Sequence, residues 1–464
     1  MDAVSDPVAL ADLFPHATRA DWLALVEKTL KGAGVETLET RTPDGLTVKP
    51  LYAADDAPPS ASMAREASGW DVRAAVATGE EANAHALDAL AGGATSLLVD
   101  ARDGGKTLAQ TLDGVVTEVA LVALDSGSKG LEAAHALNLV AKASPAARLA
   151  FHIDPLSAFA ETGGAAPSIE VQISAAAGLA AQLAETYPKA SLFLASGRVV
   201  HEAGGAPATE IAFAAAAALA YAKALTAAGV EMAQAWKQIV LGLSIDAEPI
   251  GSVAKLRAAR RVWDRVTGAC GATVPAHIEA RSSRRMLARA DHWTNLIRLT
   301  AAGFAAAVGG ADAIVLGAFD EPLGRAPELL ARRQARNIQL ILMEEAKLGA
   351  ASDPAAGCWA LEAQTDALAR AAWERFTAIE RLGGLSAALT TGAIARDVEA
   401  ACTNLQAALA DKSRRIVGVT DFRPSDLPPD EANPPLGRSP DAPPPDPVSR
   451  CPPLAPIRLE DLAA

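Results

Sequence analysis

The sequence contains few of the residues that build disulfide frameworks or metal sites. Its 464 residues include only 4 cysteines and 7 histidines, and no two cysteines form a CxxC pair. The widely spaced Cys270, Cys358, Cys402 and Cys451 are therefore expected to be reduced thiols of a cytoplasmic protein. The spacing predicts neither a disulfide framework nor a zinc site.

Positive charge is also scarce. Lys and Arg total 42 against 55 Asp and Glu, which gives a net charge of −13. A nucleic-acid-binding surface needs a basic face, so this balance argues against nucleic acid as a partner. Small anionic substrates stay possible, because a local cluster of arginines can oppose the overall sign.

Long uninterrupted apolar segments are missing as well. Only Leu299–Phe319 approaches the length of a transmembrane helix, and both Gly309-Gly310 and Asp312 interrupt it. We interpret this segment as a buried helix, a turn and a buried strand, and we expect no membrane association. The N-terminus shows no basic segment followed by an apolar one, so export is not expected.

Short apolar strand candidates recur from Trp70 onward, with alanine- and leucine-rich helical stretches between most of them. They are Trp70–Val76, Thr95–Val99, Glu118–Ala123, Arg148–His152, Ser191–Ala195, Ile239–Ile245, Thr273–Ile278 and Ala313–Gly317. Eight such units over roughly 250 residues predict an α/β fold, a (β/α)8 TIM-type barrel. A doubly wound open sheet is the alternative, although no GxGxxG follows the first strand.

Two flanking regions complete the predicted organisation. Residues 1–68 are expected to form an N-terminal helical and extended arm with a linker, in which Thr18 and Asp21 have capping-box spacing. Residues 69–422 are assigned to the barrel and its following helices. Residues 423–464 are predicted to be a proline-rich extended tail, either a linker or a wrapping arm, because Pro424–Pro456 holds 13 of the 29 prolines.

Candidate chemical groups occur after two of the predicted strands. His277, Glu279 and Arg281 alternate with period two, so they are expected to face one side at the barrel mouth. A ligand contact and a structural histidine are both open for His277. His201 lies in the glycine-flanked segment 196–205 and could be a general acid or part of a helix entry. Residue types alone leave the chemistry undecided.

Several short strings follow one another in the order found in a known family. They are Trp22…Val26…Leu30-Lys31-Gly32, Thr42-Pro43-Asp44-Gly45-Leu46 with Pro50-Leu51-Tyr52, Gly69-Trp70-Asp71-Val72-Arg73, Phe319-Asp320-Glu321-Pro322-Leu323, Ala335-Arg336-Asn337-Ile338-Gln339, and Met343-Glu344-Glu345 with Asp353-Pro354…Gly357. This series resembles the methylmalonyl-CoA mutase family, whose DEAL and ARNTQ segments the fourth and fifth strings match. It extends over roughly residues 12 to 422. The resemblance implies a barrel that takes part in the adenosylcobalamin-dependent rearrangement of methylmalonyl-CoA to succinyl-CoA, as in propionate metabolism.

The departures from the family pattern point to a subunit without catalysis of its own. By the resemblance, Ala75 stands where catalytic members have a tyrosine, and Val199 stands at the histidine of their YHMQEAG-like string. The HCQTSGW-like string keeps its histidine at His277 but has Glu279 in place of a neutral amide. Neither Ala75 nor Val199 can donate a proton or a hydrogen bond. We expect Ala75 and Val199 to be replacements of catalytic residues, and His201, His277, Glu279 and Arg281 to be vestigial groups of the barrel mouth.

The cofactor motif gives a second departure. Cobalamin-binding members carry DxHxxG, and none of the seven histidines here has an aspartate two residues before it. The resemblance therefore implies a small (beta) subunit that lacks the C-terminal cobalamin-binding domain and the long N-terminal segment that threads acyl-CoA. Its expected partner is a large (alpha) subunit that binds adenosylcobalamin and the acyl-CoA substrate; this chain alone binds no cofactor and no metal. The alternative is a catalytic acyl-CoA mutase barrel that uses a separate cobalamin-binding subunit.

Overall fold

Eight short apolar runs form parallel strands that close into a barrel. The computed structural model of the chain describes residues 17–58, 65, 69–424 and 441–463. The barrel strands are β1 (Asp71–Val76), β2 (Ser96–Asp100), β3 (Leu121–Asp125), β4 (Leu149–Ile153), β5 (Ser191–Ser196), β6 (Ile239–Ile245), β7 (Ile278–Ser282) and β8 (Ala313–Val315). Each strand pairs with the next in sequence, and β8 pairs with β1. The predicted (β/α)8 barrel is confirmed.

Helices surround the barrel strands, with one further helix in the N-terminal arm and one in the C-terminal tail. They are α1 (Arg19–Thr29), α2 (Ala82–Ala91), α3 (Leu108–Thr111), α4 (Gly130–Ala141), α5 (Pro155–Thr162), α6 (Ile169–Thr186), α7 (Arg198–Glu202), α8 (Pro207–Ala227), α9 (Met232–Lys237), α10 (Pro249–Ala269), α11 (Asn295–Val308), α12 (Leu329–Leu340), α13 (Trp359–Arg381), α14 (Leu385–Thr390), α15 (Ala393–Ala410) and α16 (Leu459–Leu462). A π-helical segment, Ile341–Glu345, continues α12. Helix α13 packs across both α8 and α10 and so forms an additional layer outside the barrel.

Two of the strand predictions are displaced along the chain. The segment predicted at Glu118–Ala123 is observed as Leu121–Asp125, and that predicted at Thr273–Ile278 is observed as Ile278–Ser282. Pro275 has no N–H to donate to a neighbouring strand, so the ladder begins only beyond it. The second displacement matters for the site, because it places His277 before β7 and not at its C-terminal end.

Helix α8 is the one helix in the described part of the chain that is long and apolar enough to cross a membrane. Of its most apolar window, 83% is buried inside the protein. Its many alanines allow close packing against β5, β6 and α13. Burial of this kind is typical of a core helix of an α/β barrel. The segment Leu299–Phe319 is a helix, a turn and a strand, as predicted.

The N-terminal arm contacts the barrel through a short hairpin. Thr18 caps α1 with the predicted capping box. A turn at Thr42–Gly45 joins two paired strands, Thr40–Arg41 and Thr47–Val48. The buried carboxylate of Asp44 accepts a hydrogen bond of 3.1 Å from the N–H of Ala208, in the first turn of α8. Residues 1–16, 59–64 and 66–68 of the predicted arm lie outside the described residues.

The C-terminal tail wraps over the end of the barrel where the strands finish. Ser449–Arg450 pairs antiparallel with Gly164–Ala165. The N–H groups of Leu454 and Ile457 donate to the carbonyls of Ala160 and Glu202, both at 2.8 Å. Residues 441–463 therefore lie against the barrel through backbone hydrogen bonds. Residues 425–440 lie outside the described part.

Replacing Leu454 with alanine should release this arm. Leu454 is 3% exposed, and truncating a buried leucine costs about 2–5 kcal/mol. Hydrogen–deuterium exchange at the Ile457 amide is expected to become at least about tenfold faster. The matched control is Val448→Ala, at a side chain that is 72% exposed, and it should leave exchange unchanged. Equal rates in both variants would show that the arm is not held by packing.

Candidate functional site

Ionised side chains meet in the interior of the barrel. Glu279 of β7 is fully buried and accepts hydrogen bonds from Arg73 of β1 and, at 2.5 Å, from Arg281. Burial by itself raises the pKa of Glu279, but the charge of Arg281 and of other nearby positive groups outweighs it. The pKa is held far below its usual range, so Glu279 is an anion at every relevant pH.

Arg281 extends this network across the barrel axis. Its Nη1 lies 3.5 Å from Oδ2 of Asp125, at the end of β3. Strands β3 and β7 are four positions apart in a closed barrel of eight, so they lie on opposite sides. On β1, Arg73 donates hydrogen bonds to Asp71 at 2.9 Å and to Ser96 of β2 at 3.0 Å. Ion-paired side chains therefore occupy the centre of the barrel.

His152 lies beside this network in a strained conformation. Its φ is +49°, a left-handed value that non-glycine residues rarely adopt, and the register between β4 and β5 is irregular at this point. Its side chain is 1% exposed and lies 3.9 Å from Glu279. Burial, opposed by Glu279 and reinforced by Arg73, lowers the pKa of His152 to about 4, so the imidazole is neutral.

Two cavities open at the mouth of the barrel, where the strands end. The larger, about 790 Å³, is lined by Ala75 and by residues of α2, α12 and the segment after β8. The smaller, about 130 Å³, is lined by Val199, His152 and four arginines, together with Leu454, Pro456 and Ile457 of the tail. Asp125 and Arg284 line both cavities and so separate one from the other.

The sequence-predicted residues are distributed over three places. Glu279 and Arg281 lie inside the barrel, and Ala75 and Val199 face the two mouth cavities. The prediction that His277 lies at the mouth is wrong, because it is exposed at the opposite end, just before β7. Placing the strand across Pro275 caused this error.

His201 is buried under the mouth, outside the smaller cavity. Its Nε2 is 2.8 Å from the hydroxyl of Ser283, and its Nδ1 is 3.5 Å from Glu210. Burial, together with the charges of Arg285 and Lys255, lowers the pKa of His201 well below its usual value. His201 is thus a neutral histidine that connects α7 to the end of β7 and to α8. Sequence reasoning singled out His201 and missed His152, whose strain comes from a strand irregularity that no motif marks.

Comparison with known proteins identifies the family. The family profile described as Methylmalonyl-CoA mutase matches residues 107–435. The methylmalonyl-CoA mutase small subunit of Streptomyces virginiae is 36% identical over 93% of this chain and 75% of its own length. The probable small subunit of Mycobacterium bovis is 36% identical over 75% of this chain and 60% of its own length. The chain belongs to the methylmalonyl-CoA mutase family.

A third relative fits the same assignment. The methylmalonyl-CoA mutase small subunit of Propionibacterium freudenreichii subsp. shermanii is 30% identical over 91% of this chain and 71% of its own length. The structure also explains one departure from the mutase pattern described above. A carboxylate at Glu279, where the resemblance implies a neutral amide, is matched by Arg73 and Arg281 on either side.

Removing one partner of the axial network should destabilise the protein strongly. Arg73→Met leaves Glu279 and Asp71 with fewer buried partners, and we expect the free energy of unfolding to fall by about 3 kcal/mol. Urea denaturation measures this change. Arg41→Met, at an exposed arginine of the arm hairpin, should change it by less than about 0.5 kcal/mol.

A double-mutant cycle tests the pairing itself. Arg73→Met combined with Glu279→Gln should be less destabilised than the sum of the two single variants, by about 1 kcal/mol or more. Strictly additive effects would show that the two side chains do not interact.

The buried histidine predicts a pH dependence of stability. The pKa of His152 is about 4 in the folded protein and about 6.5 in an unfolded chain, so the unfolded state takes up the proton first. His152 makes its full contribution to the free energy of unfolding above about pH 6.5. This contribution is lost as the pH falls towards 4, and the loss is about 2 kcal/mol at pH 5. His152→Asn, which tolerates a positive φ, should remove this loss. The same change at exposed His135 should keep the wild-type profile, and an unchanged profile in His152→Asn would contradict the prediction.

Proposed function

We propose that the chain is the non-catalytic small subunit of a heterodimeric, adenosylcobalamin-dependent methylmalonyl-CoA mutase of the cytoplasm. A large subunit binds the acyl-CoA substrate and most of the cofactor, and the complex interconverts methylmalonyl-CoA and succinyl-CoA. Three relatives bear the name small subunit, which supports a partner of this kind. The chain spans 60–75% of the lengths of these relatives.

The observation that carries the proposal is the chemistry of the barrel. The resemblance assigns catalytic residues to the positions of Ala75 and Val199, and both of these residues line the mouth cavities. Their hydrocarbon side chains have no acidic proton and cannot form a hydrogen bond. Between them, Arg281 crosses the axis to Asp125. A barrel filled in this way has little room for a substrate that reacts on its axis.

The requirements for binding the cofactor favour the partner subunit over this chain. A cobalt-ligating imidazole must be accessible and oriented by a carboxylate. None of the seven histidines has the aspartate of DxHxxG, and both buried histidines of the described barrel, His152 and His201, are enclosed by protein. Adenosylcobalamin supplies the radical chemistry of the reaction, and we assign its binding to the large subunit.

The alternative, a catalytic barrel that borrows a separate cobalamin-binding subunit, has one observation in its favour. The cavity of about 790 Å³ beside Ala75 is large enough for part of an acyl-CoA. A catalytic barrel predicts that substitutions in this chain lower the activity, whereas a non-catalytic subunit predicts that they do not. The two functions can therefore be distinguished by experiment.

Co-expression with the large subunit of the same organism is the test. The two chains should elute together in gel filtration, and the complex supplied with adenosylcobalamin should have mutase activity. Val199→Ala and His152→Asn in this chain should leave kcat within about twofold, because neither residue touches the reacting atoms. The positive control replaces the histidine in the YHMQEAG-like string of the large subunit and should abolish activity. Separate elution with full activity of the large chain alone would overturn the proposal, and a large loss of kcat in His152→Asn would favour the alternative.

A further inference from the structure

The outward side of helix α11 carries no charge. Its exposed positions, 297, 300 and 304, are isoleucine, threonine and phenylalanine, and exposed Trp293 continues the stripe one turn before Ile297. The spacing i, i+4, i+7, i+11 places these four side chains on one side of the helix. Arg298 is the only charged residue of α11, and it is buried. A helix that covers a soluble barrel normally presents polar and charged side chains to water, whereas a helix that is apolar on all sides is normally buried.

Trp293 is held in a fixed position by two other rings. Its ring centroid lies 5.3 Å from that of His292 and 4.8 Å from that of Phe319, which is buried. Trp293 itself is still 55% exposed. A rigid aromatic side chain loses little conformational entropy when a partner covers it, and tryptophan is enriched among the residues that dominate binding energy. Trp293 is therefore suited to anchor a partner protein.

A second segment extends the apolar stripe. The turn that contains Val417 and Phe422 lies against the start of α11, because Arg298 donates to the carbonyl of Val417 at 2.6 Å. A Cβ at Gly418 would lie only 2.7 Å from the Cβ of Asp291, so the two segments are in close contact. Phe422 is 83% exposed, and its φ of +56° is costly for a non-glycine residue. The chain thus holds an aromatic ring outward in a strained backbone conformation.

The combined surface has the size of an interface centre. The α11 face, as we call it, consists of Trp293, Ile297, Thr300, Phe304, Val417 and Phe422. The exposed parts of its apolar members amount to roughly 500–600 Å², since a whole aromatic side chain presents about 150–250 Å². Apolar patches of about 300–600 Å² on a monomer are often functional. A stable complex buries about 800 Å² on each partner, with an apolar centre and a polar rim, and the α11 face supplies such a centre.

The border of the α11 face carries charges that a partner can use. Asp291, Asp421 and Arg423 form no ion pair with any residue that the structure describes. The two carboxylates accept hydrogen bonds from the hydroxyls of Thr294 and Thr420. The whole chain has a net charge of −13, so a second copy of it would approach against like charge. A different chain is therefore the better occupant of this face.

We propose that the α11 face packs against the large subunit of the mutase. This proposal rests on the proposed role as a small subunit and adds to it the surface of contact. Helix α11 connects β7 to β8, so the large subunit lies beside these strands, on the outside of the barrel. Its own surface is expected to be apolar opposite Trp293 and Ile297, with charges at the rim that complement Asp291, Asp421 and Arg423.

Co-expression with the large subunit of the same organism tests this surface, with Kd measured by analytical ultracentrifugation. Ile297→Asp places a charge in the centre of the face and should weaken the complex about 100-fold or more. Trp293→Ala removes the anchor and should weaken it about tenfold or more. The matched control is Leu139→Asp, because Leu139 is the only exposed large apolar residue of α4 and is 72% exposed, against 71% for Ile297. It should bind like the wild type, and thermal unfolding reports whether each variant is folded.

Hydrogen–deuterium exchange of the unmodified complex gives a second readout that needs no substitution. Residues 293–304 should exchange more slowly in the complex than in the chain alone, and residues 130–141 of α4 should not change. If the wild type binds the large subunit but Ile297→Asp binds equally well and residues 293–304 gain no protection, the α11 face is wrong and the proposed function stands. If the wild type does not bind, both proposals fail. Dimerisation of the chain alone that Ile297→Asp abolishes, without loss of the large subunit, would assign the face to a second copy and overturn the proposal.

Discussion

The ion pairs inside the barrel are the constraint on which the rest of the structure depends. Glu279 is fully buried between Arg73 and Arg281, and Arg281 reaches Asp125 on the opposite wall. Burying charged groups is expensive unless each of them keeps its partners. Strands β1, β3 and β7 are therefore held in one relative position, and their loops are held with them. The positions of both mouth cavities follow from this arrangement.

The network also divides the barrel interior into two layers. Leu98, Ala123, Ala150 and Val315 form a small apolar cluster separate from the main hydrophobic core. Inward-facing positions alternate along each strand, so apolar and charged side chains succeed one another along the axis. Ala123 and Ala150 lie in this apolar cluster, and the two mouth cavities lie where the strands end.

The architecture could be predicted from the sequence because it depends on repeated patterns. Eight apolar runs separated by helical stretches indicate a barrel even when individual strands are misplaced by several residues. Proline explains the largest displacement, at Pro275, and the glycine pair at Gly309-Gly310 correctly marks the break before β8. The ordered strings identified the family for a similar reason: many weak matches in one order are more specific than any one of them.

The candidate site could be predicted only in part, because it depends on geometry that no local pattern encodes. Glu279 and Arg281 were found from their alternation, but Arg73 was noted only as part of a string and never as the partner of Glu279, 206 positions away. His152 gave no signal, since its backbone strain arises from the pairing of β4 with β5. Arg102 and Arg198 follow different strands and line one cavity only because the barrel closes.

The two cavities of the mouth have different relations to the tail. The tail residues Leu454, Pro456 and Ile457 line the smaller cavity, and no tail residue of the described part lines the larger one. The tail is fixed by backbone hydrogen bonds to the segment 160–165 and to Glu202. Since Glu202 also binds the N–H groups after β7, the same residue fixes the cover and one wall of the smaller cavity. Packing of the tail therefore shapes the smaller cavity, whereas the larger cavity beside Ala75 is bounded by α2, α12 and the segment after β8.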